Sequence, residues 1–220
     1  MAAQDASPHP GPPPTLVFSS DASVSPYAVT MENYLSRHPE FHAVAVGALV
    51  FSDVAPSHVP PGGPDAASGT CDHILLIQRA ASDSMPLLWE IPGGACDPDD
   101  ESILHGMGRE LWEESGLVLT AVVGRAGGDV VFFTRRGLPV CKHTFEVEVR
   151  AEAGTLPDVT LDPNEHQAYL WATEDECRAG RKGDVELKFT TKDQENCILE
   201  GFRLRNARRE VVGDVGGPAL

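Results

Sequence analysis

Basic residues are scarce in this 220-residue chain, with 17 Lys and Arg against 33 Asp and Glu and a formal net charge of −16. That balance argues against a long nucleic acid as partner, because holding a phosphate backbone takes clustered Lys and Arg. A small anionic substrate stays open, provided a bound cation inverts the local field. Cysteine is sparse and unpatterned as well. Cys71, Cys96, Cys141, Cys177 and Cys197 contain no C-x-x-C pair, which argues against a disulfide framework and against a zinc site. No run approaches the ~18 apolar residues of a membrane span. Met1–Asp5 opens without the basic and apolar segments of a secretory leader. A soluble, cytoplasmic protein with no membrane partner is expected.

What is present is enough apolar material, 41% of residues, for one substantial core. Residues 1–26, rich in Pro, Ser, Ala and Asp, are expected to be disordered or loosely docked, with Leu16–Phe18 available as a short strand. Residues 27–205 read as a single domain. Thr30 caps a short helix that Pro39 stops, and Phe41–Phe51 is a strand apolar enough to be buried on both faces. Residues 52–72, broken by Pro and Gly, read as a long flexible loop, and His73–Arg79 as the returning strand. Strands are expected near 117–124, 129–135, 141–150 and 168–172, with helices at 174–179 (capped by Thr173) and 191–205. Residues 206–220 read as a disordered tail. Strands interleaved with a central and a terminal helix give an α/β (α+β) layered class.

The stretch Pro92–Leu117 organises the rest. A Pro-Gly-Gly turn leads to Asp97-Pro98, read as N-cap and first helical residue, and Gly116 stops the helix. Leu104, Met107 and Leu111 make an i, i+3, i+7 stripe for the sheet. Glu110, Glu113 and Glu114 fall within an arc of about 100° on another side. Like charges so placed repel by a few tenths of a kcal/mol per pair, which a hard divalent cation would offset. Gly106 lies on the carboxylate side, where a missing side chain permits close approach; helical drift reads equally well.

The composite resembles the Nudix box, G-x5-E-x7-R-E-U-x-E-E-x-G-U, where U is bulky and apolar. Glu101, Arg109, Glu110, Leu111, Glu113, Glu114, Gly116 and Leu117 match its fixed positions. One extra residue separates Gly94 from Glu101, and it is placed in the Asp97–Asp100 turn. The resemblance implies an α/β/α sandwich with a mixed sheet between helices. It also implies a Mg²⁺- or Mn²⁺-dependent pyrophosphohydrolase, monomeric or homodimeric, acting on a small-molecule diphosphate. The expected substrate is a nucleoside diphosphate linked to another moiety. The alternatives are a non-nucleotide diphosphate, such as an inositol pyrophosphate or isoprenoid diphosphate, or a non-catalytic nucleotide-binding module. Carried over position by position, Glu110, Glu113 and Glu114 would hold the metal, with Glu113 close enough to activate water. A backbone carbonyl of Gly94 or Gly93 would assist. Arg109 would orient the carboxylates, and Glu101 would start or support the helix. Glu165, in the loop before the strand of Trp171, would be a further ligand or base. Arg79, and less strongly Lys142 and His143, are the candidates for a substrate phosphate. His105 and His166 read as surface histidines.

Overall fold

The computed structural model describes residues 11, 13–54 and 71–214, so most of the loop expected at 52–72 lies outside the described residues. Its elements are β1 (Ser19–Ser20), α1 (Met31–Arg37), β2 (Ala43–Ser52), β3 (His73–Arg79), β4 (Trp89–Glu90), α2 (Ile103–Ser115) and β5 (Leu119–Phe133), followed by β6 (Pro139–Val149), β7 (His166–Thr173), α3 (Glu174–Ala179), β8 (Arg181–Lys182), β9 (Val185–Glu186) and α4 (Lys192–Asp214).

The alternation of strand side chains divides the interior in two. Val44, Val46, Ala48 and Val50 of β2 face the core that Leu104, Met107 and Leu111 of α2 close. Leu49 faces the other way, with Ile91, Ile198 and Phe202 on the side of α4. The apolar strand is therefore buried on both faces, and the helix stripe packs as its spacing requires. Strands run in the order β1-β5-β6-β2-β3-β4, with β7 also on β3. β2 is parallel to β6, β1 is parallel to β5, and the other pairings of this sheet are antiparallel, so it is a mixed sheet between helices. Among the described residues, no helix is long and apolar enough to cross a membrane.

Two segments depart from expectation, and the N-terminal stretch takes one of its two expected forms. The N-terminal stretch docks. Ser19–Ser20 pairs with Ala121 and Val122, a 3-10 turn spans Ala22–Tyr27, and Val24 is wholly buried. The strand falls just after Leu16–Phe18, and Leu16 lies against Gly108, whose missing side chain admits it. The two strands expected at 117–124 and 129–135 are one strand, because Gly127 and Gly128 form a bulge inside it and do not end it. The last helix runs on through residues 206–214, so that part of the expected tail is helical. Arg208 and Arg209 tie this extension to the buried carboxylates of Glu146 and Asp72.

Candidate active site

Residues Ile91–Cys96 run along β2 as an irregular extra strand. The Ala48, Val46 and Cys96 amides donate to Pro92, Gly94 and Val44 carbonyls at 2.8, 2.8 and 2.9 Å. Gly93 has φ +150°, and a Cβ there would lie 2.2 Å from the Val46 carbonyl oxygen, so only glycine fits. Its amide is thereby aimed at α2 and donates to Glu114 Oε2 at 2.6 Å. At Gly94 a Cβ would meet the Glu110 carboxylate at 2.4 Å. The pair of glycines thus lets the backbone close on two carboxylates. The carbonyl of Gly94, expected as a metal ligand, accepts the Val46 amide with one lone pair and keeps a second, and the missing side chain gives room for Glu110.

The helix begins later than its sequence suggests. Ser102 is the N-cap, accepting from the His105 amide at 3.2 Å, and Asp97–Asp100 forms a turn ahead of it. Asp97 is not the cap because the chain only turns there, the Asp100 amide donating to the Asp97 carbonyl at 3.2 Å, and the helix starts after Ser102. Asp100 also takes the place expected for Glu101. Its side chain is 8% exposed and receives Arg109 Nε at 3.0 Å, whereas Glu101 is 83% exposed. A Cβ on Gly106 would lie 2.5 Å from Asp100 Oδ2, so close approach, and not drift, accounts for that glycine.

Arg109 gathers the cluster. Its Nη1 donates to Glu110 at 3.0 Å and to Glu113 at 2.8 Å, and its Nη2 to the Ala95 carbonyl at 2.9 Å. Burial works against its charge, but the Asp100 hydrogen bond and the carboxylates outweigh that and hold it protonated. A planar fork with several donors suits this task as a lysine would not. One guanidinium does not balance the acids around it. Burial pushes the Glu110 carboxyl up to about 7 despite Arg109, with Glu113 and Glu165 adding to the rise. Glu114 is raised well above the usual range by burial, against the Gly93 amide, with Glu90, Glu110 and Glu165 adding repulsion.

The loop carboxylate comes to the same place. Donor atoms of Glu114, Glu165 and His166 lie within 4.8 Å of one another. Ala80 holds that loop by donating its amide to the Glu165 carbonyl at 2.7 Å. His166, read as a surface residue, is 1% exposed, with Nε2 3.2 Å from Glu90 and 3.9 Å from Glu114. The strand bulge at Gln78/Arg79 brings Arg79 opposite it. Arg79 donates to Asp83 at 2.9 and 2.7 Å and to Glu90 at 2.5 Å, so it reaches the cluster as an ion-pair partner of Glu90. Lys142 stands apart from the Arg109 network, its stem against the space left by Gly47 beside Ile91. Asp100, Glu90 and His166 escaped the sequence reading. Asp100 was legible, since it sits at the box's own spacing from Gly94. Glu90 and His166 carry no local signal, because strand pairing alone unites them.

Similarity to known proteins covers the stretch that holds this cluster. A family model described as NUDIX domain matches residues 66–191. The CTP pyrophosphohydrolase of Escherichia coli (strain K12) is 35% identical over 141 residues, covering 62% of this chain and 86% of that protein. A Bos taurus protein, m7GpppN-mRNA hydrolase NUDT17, is 51% identical over only 47 residues, 21% of this chain and 15% of its own length. A C. elegans Ap4A hydrolase has the same fold, with a TM-score of 0.52 at 16% identity over 76% of this chain and 99% of that one. The chain belongs to the Nudix family, and its class is that of pyrophosphate-cleaving hydrolases.

The family generally uses a divalent cation, and the donor set fits one. Its donors are carboxylate oxygens, which suit a hard ion, with the one nitrogen of His166 beside Glu114 and Glu165. Buried Glu110 and Glu114, both destabilised as anions, are the groups such an ion would relieve.

Proposed function

We infer that this chain is a Mg²⁺- or Mn²⁺-dependent pyrophosphohydrolase that cleaves the diphosphate of a nucleotide, with a nucleoside triphosphate as its first substrate to test. The observation that carries the reading is the gathering of carboxylates on and beside α2: Arg109 holds Glu110 and Glu113, while Glu114 lies together with Glu165 and His166. The similarity to the E. coli CTP pyrophosphohydrolase supports a nucleoside triphosphate. Similarity to the mRNA hydrolase spans too little of that protein to argue for capped RNA, and the charge of −16 argues against it.

In this reading Glu110, Glu113 and Glu114 hold the cation, with Glu165 completing the donors. When bound, the cation neutralises the diphosphate oxygens and lowers the cost of bringing a nucleophile to them. Arg109 and Asp100 fix Glu110 and Glu113 in place, and a positioned carboxylate removes a proton from the attacking water. Glu113 is the best placed for that proton, being the most exposed of the three helix carboxylates with a side chain 39% exposed. The Gly93 amide holds Glu114 Oε2, and His166 Nε2 stands 3.9 Å from Oε1. The test is a panel of nucleoside triphosphates and nucleoside diphosphates linked to sugars or nucleosides, with Mg²⁺ and with Mn²⁺, products identified by mass spectrometry. Release of a nucleoside monophosphate that Glu113→Gln abolishes is expected. Cleavage surviving that substitution and Glu114→Gln together would defeat the assignment.

A further inference from the structure

On the sheet face opposite α4, away from the carboxylate cluster, a second group of metal-type donors is assembled. Cys141 and His143 are two residues apart on β6, so their side chains share a face. Both are fully buried. Opposite them, β5 is bulged: Ala126 pairs with Thr144 and Val130 with Lys142, leaving Gly127, Gly128 and Asp129 against His143 alone. Bulges re-aim side chains and recur beside functional sites. This one brings Asp129 Oδ1 to 3.3 Å from His143 Nδ1, while Cys141 Sγ stands 3.6 Å from His143 Nε2. Donor atoms of Asp129, Cys141 and His143 all lie within 4.8 Å of one another. Yet His143 Nδ1, buried and aimed at the carboxylate, makes no hydrogen bond. Asp129 is its ion-pair neighbour, but a buried imidazole nitrogen without a well-aligned hydrogen bond is poorly satisfied, and an ion can fill that place.

We propose that Cys141, His143 and Asp129 form a second metal site, independent of the carboxylate cluster, that takes a thiolate-seeking ion of the Zn²⁺ class. Thiolate, imidazole and carboxylate together favour Zn²⁺ over Mg²⁺ or Mn²⁺. Zn–S and Zn–N bonds of about 2.3 and 2.0 Å at tetrahedral angles put sulfur and nitrogen about 3.5 Å apart, near the Cys141 Sγ to His143 Nε2 separation. Asp129, now beside the other ring nitrogen but within 4.8 Å of both donors, swings in to complete the set. The ion takes one nitrogen of His143, whose ring tilts between the other two donors. The Cys141 proton passes to solvent on binding. Thiolate and carboxylate then balance the ion's two charges. Arg125, already paired with Asp129, is the opposing positive charge and weakens the site. The rings of Tyr27 and Tyr34, 4.7 and 5.2 Å from the His143 ring, wall it on the inner side. Asp129, 53% exposed, is the way in and leaves room for a water as fourth ligand.

The test uses Co²⁺ as a coloured substitute on the full chain, with excess Mg²⁺ present to occupy the carboxylates. One equivalent should give a thiolate-to-cobalt charge-transfer band with tetrahedral visible bands, bleached by Zn²⁺. Cys141→Ser should abolish the charge-transfer band, whereas Cys96→Ser and Glu113→Gln should keep it, so the result stands apart from the hydrolase reading. Because Cys141 and His143 are core residues, the exposed variant Asp129→Asn is the safeguard against misfolding, and it should weaken Co²⁺ binding about tenfold. No thiolate band at millimolar Co²⁺, the same band in Cys141→Ser, or unchanged affinity in Asp129→Asn would each overturn the proposal.

Discussion

Asp72 and Glu146 are as deeply buried as any carboxylates in the molecule, and helix α4 answers them with three arginines. Arg205 lies 2.9 Å from Asp72 and 3.0 Å from Glu146, Arg209 lies 2.7 Å from Asp72, and Arg208 pairs with Glu146. On α2 the ratio is reversed, since Arg109 alone serves Asp100, Glu110 and Glu113, and no Lys or Arg lies within ion-pair distance of Glu114 among the described residues. Both regions bury acids at a cost that only partners offset. Where the partners are built in, the charge fastens a helix to a sheet. Where they are withheld, Glu110 and Glu114 are left poor anions, and in the proposed function the place is kept for a cation from outside.

The most severe way to break this contrast is at α2. Glu113→Gln or Glu114→Gln should lower kcat by at least ~10³-fold, about 4 kcal/mol, with little change in Tm. Steady-state rates beside thermal melts separate loss of chemistry from loss of fold.

Next in size is pH. Burial lifts the folded Glu110 carboxyl from 4.5 to about 7. A carboxyl raised by folding binds its proton more tightly in the folded state. Its contribution is therefore fully present below pH ~4.5 and is lost as pH rises through about 7. The metal-free chain should lose up to about 3 kcal/mol across that window in urea titrations. Mg²⁺ should remove most of the slope.

Arg109→Lys keeps a charge but loses the fork that holds Asp100, Glu110 and Glu113. Activity should fall about 10- to 100-fold, measured as kcat/KM, with metal affinity reduced alongside. The smallest expected effect sharpens the other arm. Glu146→Gln should cost about 1–2 kcal/mol of stability by denaturant melting and leave kcat unchanged. A fall in kcat there would blur the distinction drawn between the two regions.

Much of this was readable from the chain because it rests on local spacing. The stripe of Leu104, Met107 and Leu111, the arc of Glu110, Glu113 and Glu114, and the capping box at Thr173 are each set within one or two helical turns. What sequence spacing could not give was long-range. Asp100 and not Glu101 supports Arg109, because a turn and not a helix precedes Ser102. His166 reads as a polar loop residue until β7 pairs with β3 and carries it between Glu90 and Glu114. The end of α4 reads as a tail because the acids that hold Arg208 and Arg209 lie 62 and 137 residues away in sequence. The same holds for Cys141 and His143, which gain Asp129 only through a bulge in the neighbouring strand.

The central claim, that the α2 carboxylates are left unmatched so that a cation can complete them, is tested most directly by Mn²⁺ binding to the purified chain. Free Mn²⁺ is followed by electron paramagnetic resonance, with proton release recorded near pH 7. Wild type should take up Mn²⁺ and release protons, and Glu110→Gln and Glu114→Gln should lose most of both. Mn²⁺ uptake unchanged in these two variants, or none in the wild type with or without nucleotide, would contradict it.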